Sequence, residues 1–286
     1  MTAVVVPVYN GADVLDVTVP AVLALDGVDE WVWVDDGSTD ETAARIDALI
    51  GGRPGARLLR LPTNRGRAAA RNAGAEATDA DLLVFLDADV EPPPDAALAL
   101  ATAASAAGAV AGVAALAPVL SHPDDPYQDY VAHHPRGASL QSAGAPIDWR
   151  FFLSGACAIR RAAFDRVGGF PDGLGYGEDV ALGCALARLS PTGLRLGQTT
   201  VTLHGVPTLA GALRQSAAFG RSLPALRARC DSGAVGRLAR FQPLGPAARW
   251  ASVAVGAVVR RLGPGPVRRR AVRYLLALTM LSAPRV

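Results

Sequence analysis

The chain has 286 residues, is half hydrophobic and carries a formal net charge of +2, enough for one large domain or a domain with a tail. Three sparse cysteines, Cys157, Cys184 and Cys230, have no close metal-ligand spacing and read as reduced thiols, which excludes a disulfide framework. The small net charge hides an asymmetry: residues 1–204 carry 14 arginines against 25 acids, whereas residues 205–286 carry 14 arginines against Asp231 alone, so the two parts are expected to meet different partners.

Taken in order, Thr2–Val8 is a β-branched run and reads as a buried first strand, broken at Tyr9-Asn10-Gly11. No secretory leader is expected ahead of it. Asp13–Leu25 has helical apolar spacing with Pro20 inside it. Trp31–Val34 is a second strand, ended by Asp35-Asp36-Gly37-Ser38, and Thr39, or secondarily Thr42, is placed to cap a helix over 40–50. Arg57–Leu61 is a third strand, followed by a loop at 62–66 and an alanine-rich helix over 67–78. Leu82–Leu86 is an uninterrupted apolar run, the central strand, with Asp87 and Asp89 just past its end. Alternation of strands and helices through short connections predicts an α/β fold with a doubly wound, mostly parallel sheet.

Beyond Asp89 the pattern loosens. A helix is expected from Pro92-Pro93-Pro94 to about Ala107, then a strand over 109–120. The stretch 121–150 has little periodicity and reads as a long loop, a feature that is usually functional or disordered. Apolar residues 151–159, a short helix over 162–167, a glycine-rich turn at 173–177, a helix from Glu178 to Leu189 and a strand over 194–203 follow. Leu209–Arg229 is a basic helical pattern. The apolar segments 250–259 and 274–281 are bracketed by arginines and are too short to span a bilayer, which takes roughly 20 residues. Apolar faces beside arginine clusters instead fit helices lying in a membrane interface.

Ligands of open parallel sheets sit beyond the carboxyl ends of the strands. Those ends carry Pro7-Val8-Tyr9-Asn10, Asp35 to Asp40, Asn64-Arg65-Gly66 with Arg71-Asn72, and Asp87-Ala88-Asp89. Paired carboxylates there suit a hard cation such as Mg²⁺ or Mn²⁺, shared with substrate phosphates. Asp36 can accept from a base or a ribose, and Asp87 can hold a ribose while Asp89 binds metal.

The ordered set P-V-Y-N at 7–10, D-D-G-S-T-D at 35–40, N-R-G at 64–66 with A-R-N-A-G at 70–74, L-D-A-D at 86–89 and G-Y-G-E-D at 175–179 resembles family 2 glycosyltransferases, inverting enzymes of GT-A fold. The resemblance covers about residues 2–205. It implies a nucleotide-diphospho-sugar donor, most commonly UDP-linked, contacted by Pro7, Tyr9, Asn10, Asp36, Asn64, Arg65, Gly66, Arg71, Asp87 and Ala88. It implies a metal held by Asp89 and Asp87, with His204 as a further candidate ligand. It assigns Asp179 as the general base of an inverting displacement and Glu178 as the residue that orients the acceptor or Asp179. The alternative for Glu178-Asp179 is simple stabilisation of a helix N-terminus. Two departures stand out. Val90 separates the aspartate pair from Glu91, and arginines 65, 67 and 71 take the place of a lysine near the third strand.

The expected organisation is a transferase domain over 1–205, with a donor half at 1–92 and an acceptor half at 93–205. A helical, arginine-rich tail over 206–286 is expected to contact the inner face of the cytoplasmic membrane peripherally. The acceptor is a glycan, a lipid or a small molecule, and no nucleic acid partner is expected. Competing readings are a retaining transferase of the same fold, a synthase acting on polyprenyl phosphate, and a non-catalytic binding protein whose basic tail meets anionic lipid or nucleic acid.

Overall fold

The computed structural model describes residues 1–133, 142–230 and 245–283. The chain packs as two compact units. The first comprises residues 1–117, 136–172 and 178–205; the second comprises residues 118–135, 173–177 and 206–286.

The first unit is built on an eight-stranded sheet of order β3-β2-β1-β4-β7-β6-β8-β5. β1 (Thr2–Val8), β2 (Glu30–Asp35), β3 (Ala56–Arg60) and β4 (Leu82–Leu86) run parallel. β7 (Ala156–Arg160) joins β4 antiparallel, with Leu86 opposite Ala156, and β6 (Ala111–Pro118) joins β7 antiparallel. The two-residue β5 (Val90–Glu91) pairs antiparallel with β8 (Leu194–Leu203). Parallel pairing thus holds where helices return the chain between strands and gives way past β4.

Alternation along each strand splits the core in two. Val4, Val6 and Val8 face one cluster, with Leu15, Val19 and Val22 of α1 (Leu15–Leu23), Ile46 and Ile50 of α2 (Thr42–Ile50), and Leu100 of α4 (Ala96–Ser105). Val5, Val34, Leu83 and Phe85 face the other, with Ala70 and Ala75 of α3 (Arg67–Glu76), Phe164 of α6 (Arg161–Val167), and Leu182 and Leu186 of α7 (Glu178–Leu189). Helices therefore cover both faces, as the continuous apolar strands require. The alanine-rich α3 lies unusually close to the sheet: a Cβ at Gly74 would overlap the Val5 side chain. That proximity fixes where Arg67 and Arg71 sit.

Two local expectations change. Thr39 does not cap α2. The helix begins at Thr42 after Glu41, and the Thr42 N–H instead donates to Asp40 Oδ1 at 3.0 Å while its hydroxyl accepts from the Gly11 N–H at 2.9 Å. The stretch expected to be a loop at 121–150 contains helix α5 (Pro126–His133), started by Asp125, whose carboxylate accepts from the N–H groups of Tyr127 and Gln128. Apolar periodicity missed it because its buried face is built from Tyr127, Gln128, Asp129 and Val131. Residues 134–141 of that stretch, and residues 231–244 and 284–286 of the basic tail, lie outside the described residues.

The second unit is helical, with α5, α8 (Leu209–Arg229), α9 (Gly245–Arg261) and α10 (Pro266–Ser282); α10 packs on α5, α8 and α9. Asp129 of α5 anchors it, accepting from Arg268 Nη2 at 3.0 Å and Arg269 Nη1 at 3.2 Å. No helix among the described residues is long and apolar enough to cross a membrane.

Candidate active site

The tips of β1, β2 and the loop after β3 are tied into one surface by backbone donors. Asn10 takes a left-handed conformation (φ 48°); its N–H donates to Ser38 Oγ and its Oδ1 accepts from the Thr39 N–H, both at 2.9 Å. Gly37, also left-handed (φ 72°), sits against the backbone of Thr63 and Asn64, where a Cβ would come within 2.7 Å of a carbonyl carbon. Asp36 is buried, and its two carboxylate oxygens accept from the N–H groups of Arg65 and Gly66 at 2.8 Å each. Its observed work is to hold the loop at 64–66 against β2. Pro7 is buried within β1, Tyr9 is exposed, and Asn64 and Arg65 are exposed at the rim.

Asp87 follows β4 directly and is fixed by its own N–H, which donates to the Gly155 carbonyl at 2.9 Å. Ala88 packs on the core beneath. Arg71 reaches Asp87 from α3: Nη2 donates to Oδ1 at 2.5 Å, while Nη1 donates to Glu178 Oε1 at 3.0 Å. This guanidinium is 1% exposed, lies over the Phe170 ring at 5.2 Å, and leaves its Nε buried without a partner among the described residues. Burial alone disfavours its charge, but Asp87 and then Glu178 outweigh burial and the net effect is to hold the proton more firmly. Arg67, one helical turn earlier, approaches the same Glu178 oxygen at 3.4 Å.

Glu178 and Asp179 open α7, where acids are favoured by the helix dipole. Glu178 is buried against the arginines. Burial first, and the neighbouring Glu178 second, raise the pKa of Asp179 above the usual carboxylate range. Its Oδ1 accepts from the Val180 N–H at 2.7 Å. The preceding Gly175-Tyr176-Gly177 belongs to the second unit, where the Tyr176 N–H donates to Ser222 Oγ at 3.3 Å and Gly177 leaves no room for a Cβ beside Phe219 and Leu226.

Asp89 is pushed up to about 6, by burial first and by Asp87 second, with Arg67 and His204 opposing. Its carbonyl accepts the His204 N–H at 2.8 Å, which places the imidazole next to it. The His204 ring, however, has Glu91 as its partner, with Nε2 and Oε2 2.7 Å apart. Sequence reading left Glu91 outside the site because Val90 displaces it from the aspartate pair; antiparallel pairing of β5 with β8 brings it back. Two glycines also belong to the site. A Cβ at Gly155 would overlap the Asp87 carboxylate, and one at Gly205 would overlap that of Asp89. Only the packing reveals why a side chain must be absent at either position.

The two aspartates differ in what they offer a divalent cation. Asp87 is already balanced by Arg71, whereas Asp89 is a desolvated carboxylate facing a like charge, which an added cation would relieve. Among the described residues no group of three or more His, Cys, Asp or Glu closes on a metal position. An oxygen-rich but incomplete donor set fits Mg²⁺ or Mn²⁺ that takes its other ligands from phosphate and water.

The sheet order, the acids at its carboxyl edge and the buried arginine that joins them define a mixed α/β fold with an acidic, arginine-bridged strand edge. The glycosyl transferase family 2 model matches residues 3–168, more than half of the chain, and the chain belongs to that family. It is 32% identical over 204 residues to a pre-mycofactocin glycosyltransferase of Mycobacterium tuberculosis, covering 70% of this chain and 41% of that one. It is 38% identical over 99 residues to an undecaprenyl-phosphate 4-deoxy-4-formamido-L-arabinose transferase of Sodalis glossinidius, covering 32% and 30% respectively. The matched stretches therefore span less than half the length of these relatives. Among solved structures, a mannosyltransferase from Pyrobaculum calidifontis in complex with GDP-Man and Mn²⁺ matches with a TM-score of 0.61 and 23% identity, over 98% of this chain and 86% of that one. This likeness establishes the GT-A fold.

Proposed function

We propose that this protein transfers one sugar from a nucleotide-diphospho-sugar, UDP-linked in the first instance, to an acceptor hydroxyl with inversion, at a membrane surface in the synthesis of a cell-envelope glycolipid or polysaccharide. The observation that carries the reading is the Asp87–Arg71–Glu178 bridge, which joins the carboxylates at the β4 tip to the acids that open α7. In this reading residues 1–92 bind the donor, 93–205 the acceptor, and 206–286 the membrane.

Asp36 holds the loop at 64–66 so that backbone and side chains of Asn10, Asn64 and Arg65 surround the nucleoside. Asp87, oriented by Arg71, takes the ribose, and Asp89 with Asp87 and the adjacent His204 would hold the cation. When bound, the cation offsets charge on the departing diphosphate. Asp179 accepts the proton of the acceptor hydroxyl as it attacks the anomeric carbon. Its raised pKa makes it a stronger base than an ordinary carboxylate. Glu178, pinned by Arg71 and Arg67, keeps Asp179 in place and holds its affinity for protons up.

A thermal-shift panel of nucleotide sugars with and without Mn²⁺ tests the donor side, and the anomeric configuration of the product tests inversion. A melting point raised equally by every nucleoside diphosphate without metal, or a retained anomer, contradicts the reading. The Sodalis glossinidius relative's named substrate favours a second version in which polyprenyl phosphate is the acceptor. Assay with a short polyprenyl phosphate separates the two.

A further inference from the structure

The second unit holds a cavity of about 450 Å³ lined by His133 of α5 and by Pro266, Arg269, Arg270 and Arg273 of α10. That volume lies in the range of small-molecule sites. Its charge is one-sided. Asp129 is the carboxylate that meets this group of arginines, and it is already shared by Arg268 and Arg269, with the His133 Nδ1 3.5 Å from its Oδ1. Arg268 is buried and also donates to the Asp124 carbonyl at 3.2 Å, so its guanidinium is used up in structure. Arg270 and Arg273 are exposed at the cavity, three residues apart on one helix face, and no carboxylate is among the described residues that line it. Like charges gathered at such a site repel one another unless an anion lies between them. Forked guanidinium donors match the oxygens of a phosphate group.

The exposed faces of α10 and α9 are apolar as well as basic. Val267 and Tyr274, on the same helix, are 69% and 61% exposed, and Trp250 and Val253 of α9 are 80% and 63% exposed. Exposed aromatic and β-branched residues beside arginines are what an interfacial helix presents to lipid.

We infer that this cavity binds a phosphate ester, with Arg270 and Arg273 as its principal donors and Arg269 and His133 as its wall. The ester belongs either to an anionic lipid headgroup or to a free phosphate compound. The inference deepens the membrane-surface reading and rests on it for the lipid source alone; none of its residues takes part in the proposed transfer.

The test uses the full chain in chelator. Binding is measured to phosphatidylglycerol–phosphatidylcholine vesicles by co-sedimentation and to inorganic phosphate by calorimetry. Arg270→Gln/Arg273→Gln is compared with Arg249→Gln/Arg260→Gln, which removes the same charge from exposed sites on α9. The cavity pair is expected to lose vesicle binding by at least about tenfold and the α9 pair by less than about threefold. Inorganic phosphate is expected to compete with the vesicles. Arg270→Lys/Arg273→Lys keeps charge and helix but not the fork, and falls between. Phosphate binding that depends on the cavity pair, without vesicle binding that does, assigns the site to a free phosphate compound. Equal losses from the two Gln pairs mean diffuse attraction and overturn the inference, as does no loss from the cavity pair in either arm.

Discussion

Removing the Arg71 guanidinium tests the link between the donor and acceptor sides. In Arg71→Met the stem still fills space above Phe170, but Asp87 and Glu178 lose the cation that lies between them. Stranding one partner of a buried pair costs about 3–5 kcal/mol. Here two carboxylates lose Arg71, although Glu178 keeps the half-exposed Arg67 3.4 Å away. The Glu178 side chain, 5% exposed, bears most of the cost; that of Asp87, 31% exposed, is partly rescued by water. We expect a loss of about 4 kcal/mol at pH 8, which for a unit of this size is a melting-point drop of roughly 8–16 °C. Arg71→Lys, with a single ammonium that cannot fork to both acids, should lose about half as much. Urea unfolding followed by circular dichroism measures this. A loss below about 1 kcal/mol would refute the claim that Arg71 holds two charges together.

The other expectations concern the site directly. Asp89→Ala should abolish the metal-dependent gain in melting temperature on adding a nucleoside diphosphate; a gain of the same size in both proteins would remove Asp89 from the metal site. Because Asp89 titrates at about 6 when folded and near 3.8 when unfolded, its burial costs stability above pH 6, and that cost is relieved as pH falls toward 4. Chelated wild type should therefore gain up to about 2–3 kcal/mol over that window relative to Asp89→Asn, read by denaturant melts. Asp179→Asn should keep donor binding and lose transfer by at least about a hundredfold, and wild-type rates should fall on the acid side as Asp179 takes up its proton; unchanged turnover would dismiss it as the base. Gly205→Ala should fold normally yet displace Asp89, weakening Mn²⁺-dependent donor binding severalfold by titration, whereas an unaltered affinity would mean that the carboxylate moves aside freely.

Much of the first unit follows from its sequence because local pattern and position coincide there. Apolar strands ending in acids or asparagine can be seen in the chain itself, and Asp36, Asp87, Asp89 and Asp179 are legible as strand-tip or helix-start acids. Their partners are not. Arg71 reads as one more arginine at the edge, yet its neighbours are 16 and 107 residues away, and only the close seat of α3 on β1 buries it between them. Glu91 looks displaced until β5 pairs with β8, and α5 looks like loop because its buried face is polar.

Alternation and composition thus determined by themselves that the chain would form a layered α/β sheet with carboxylates at one edge and a basic end of different character, since hydrophobic period and charge are properties of neighbours along the chain. Which carboxylate stays charged, which is held by an arginine and which is left desolvated was decided in three dimensions. Those outcomes depend on burial and on distances between groups far apart in sequence, and folding alone sets both.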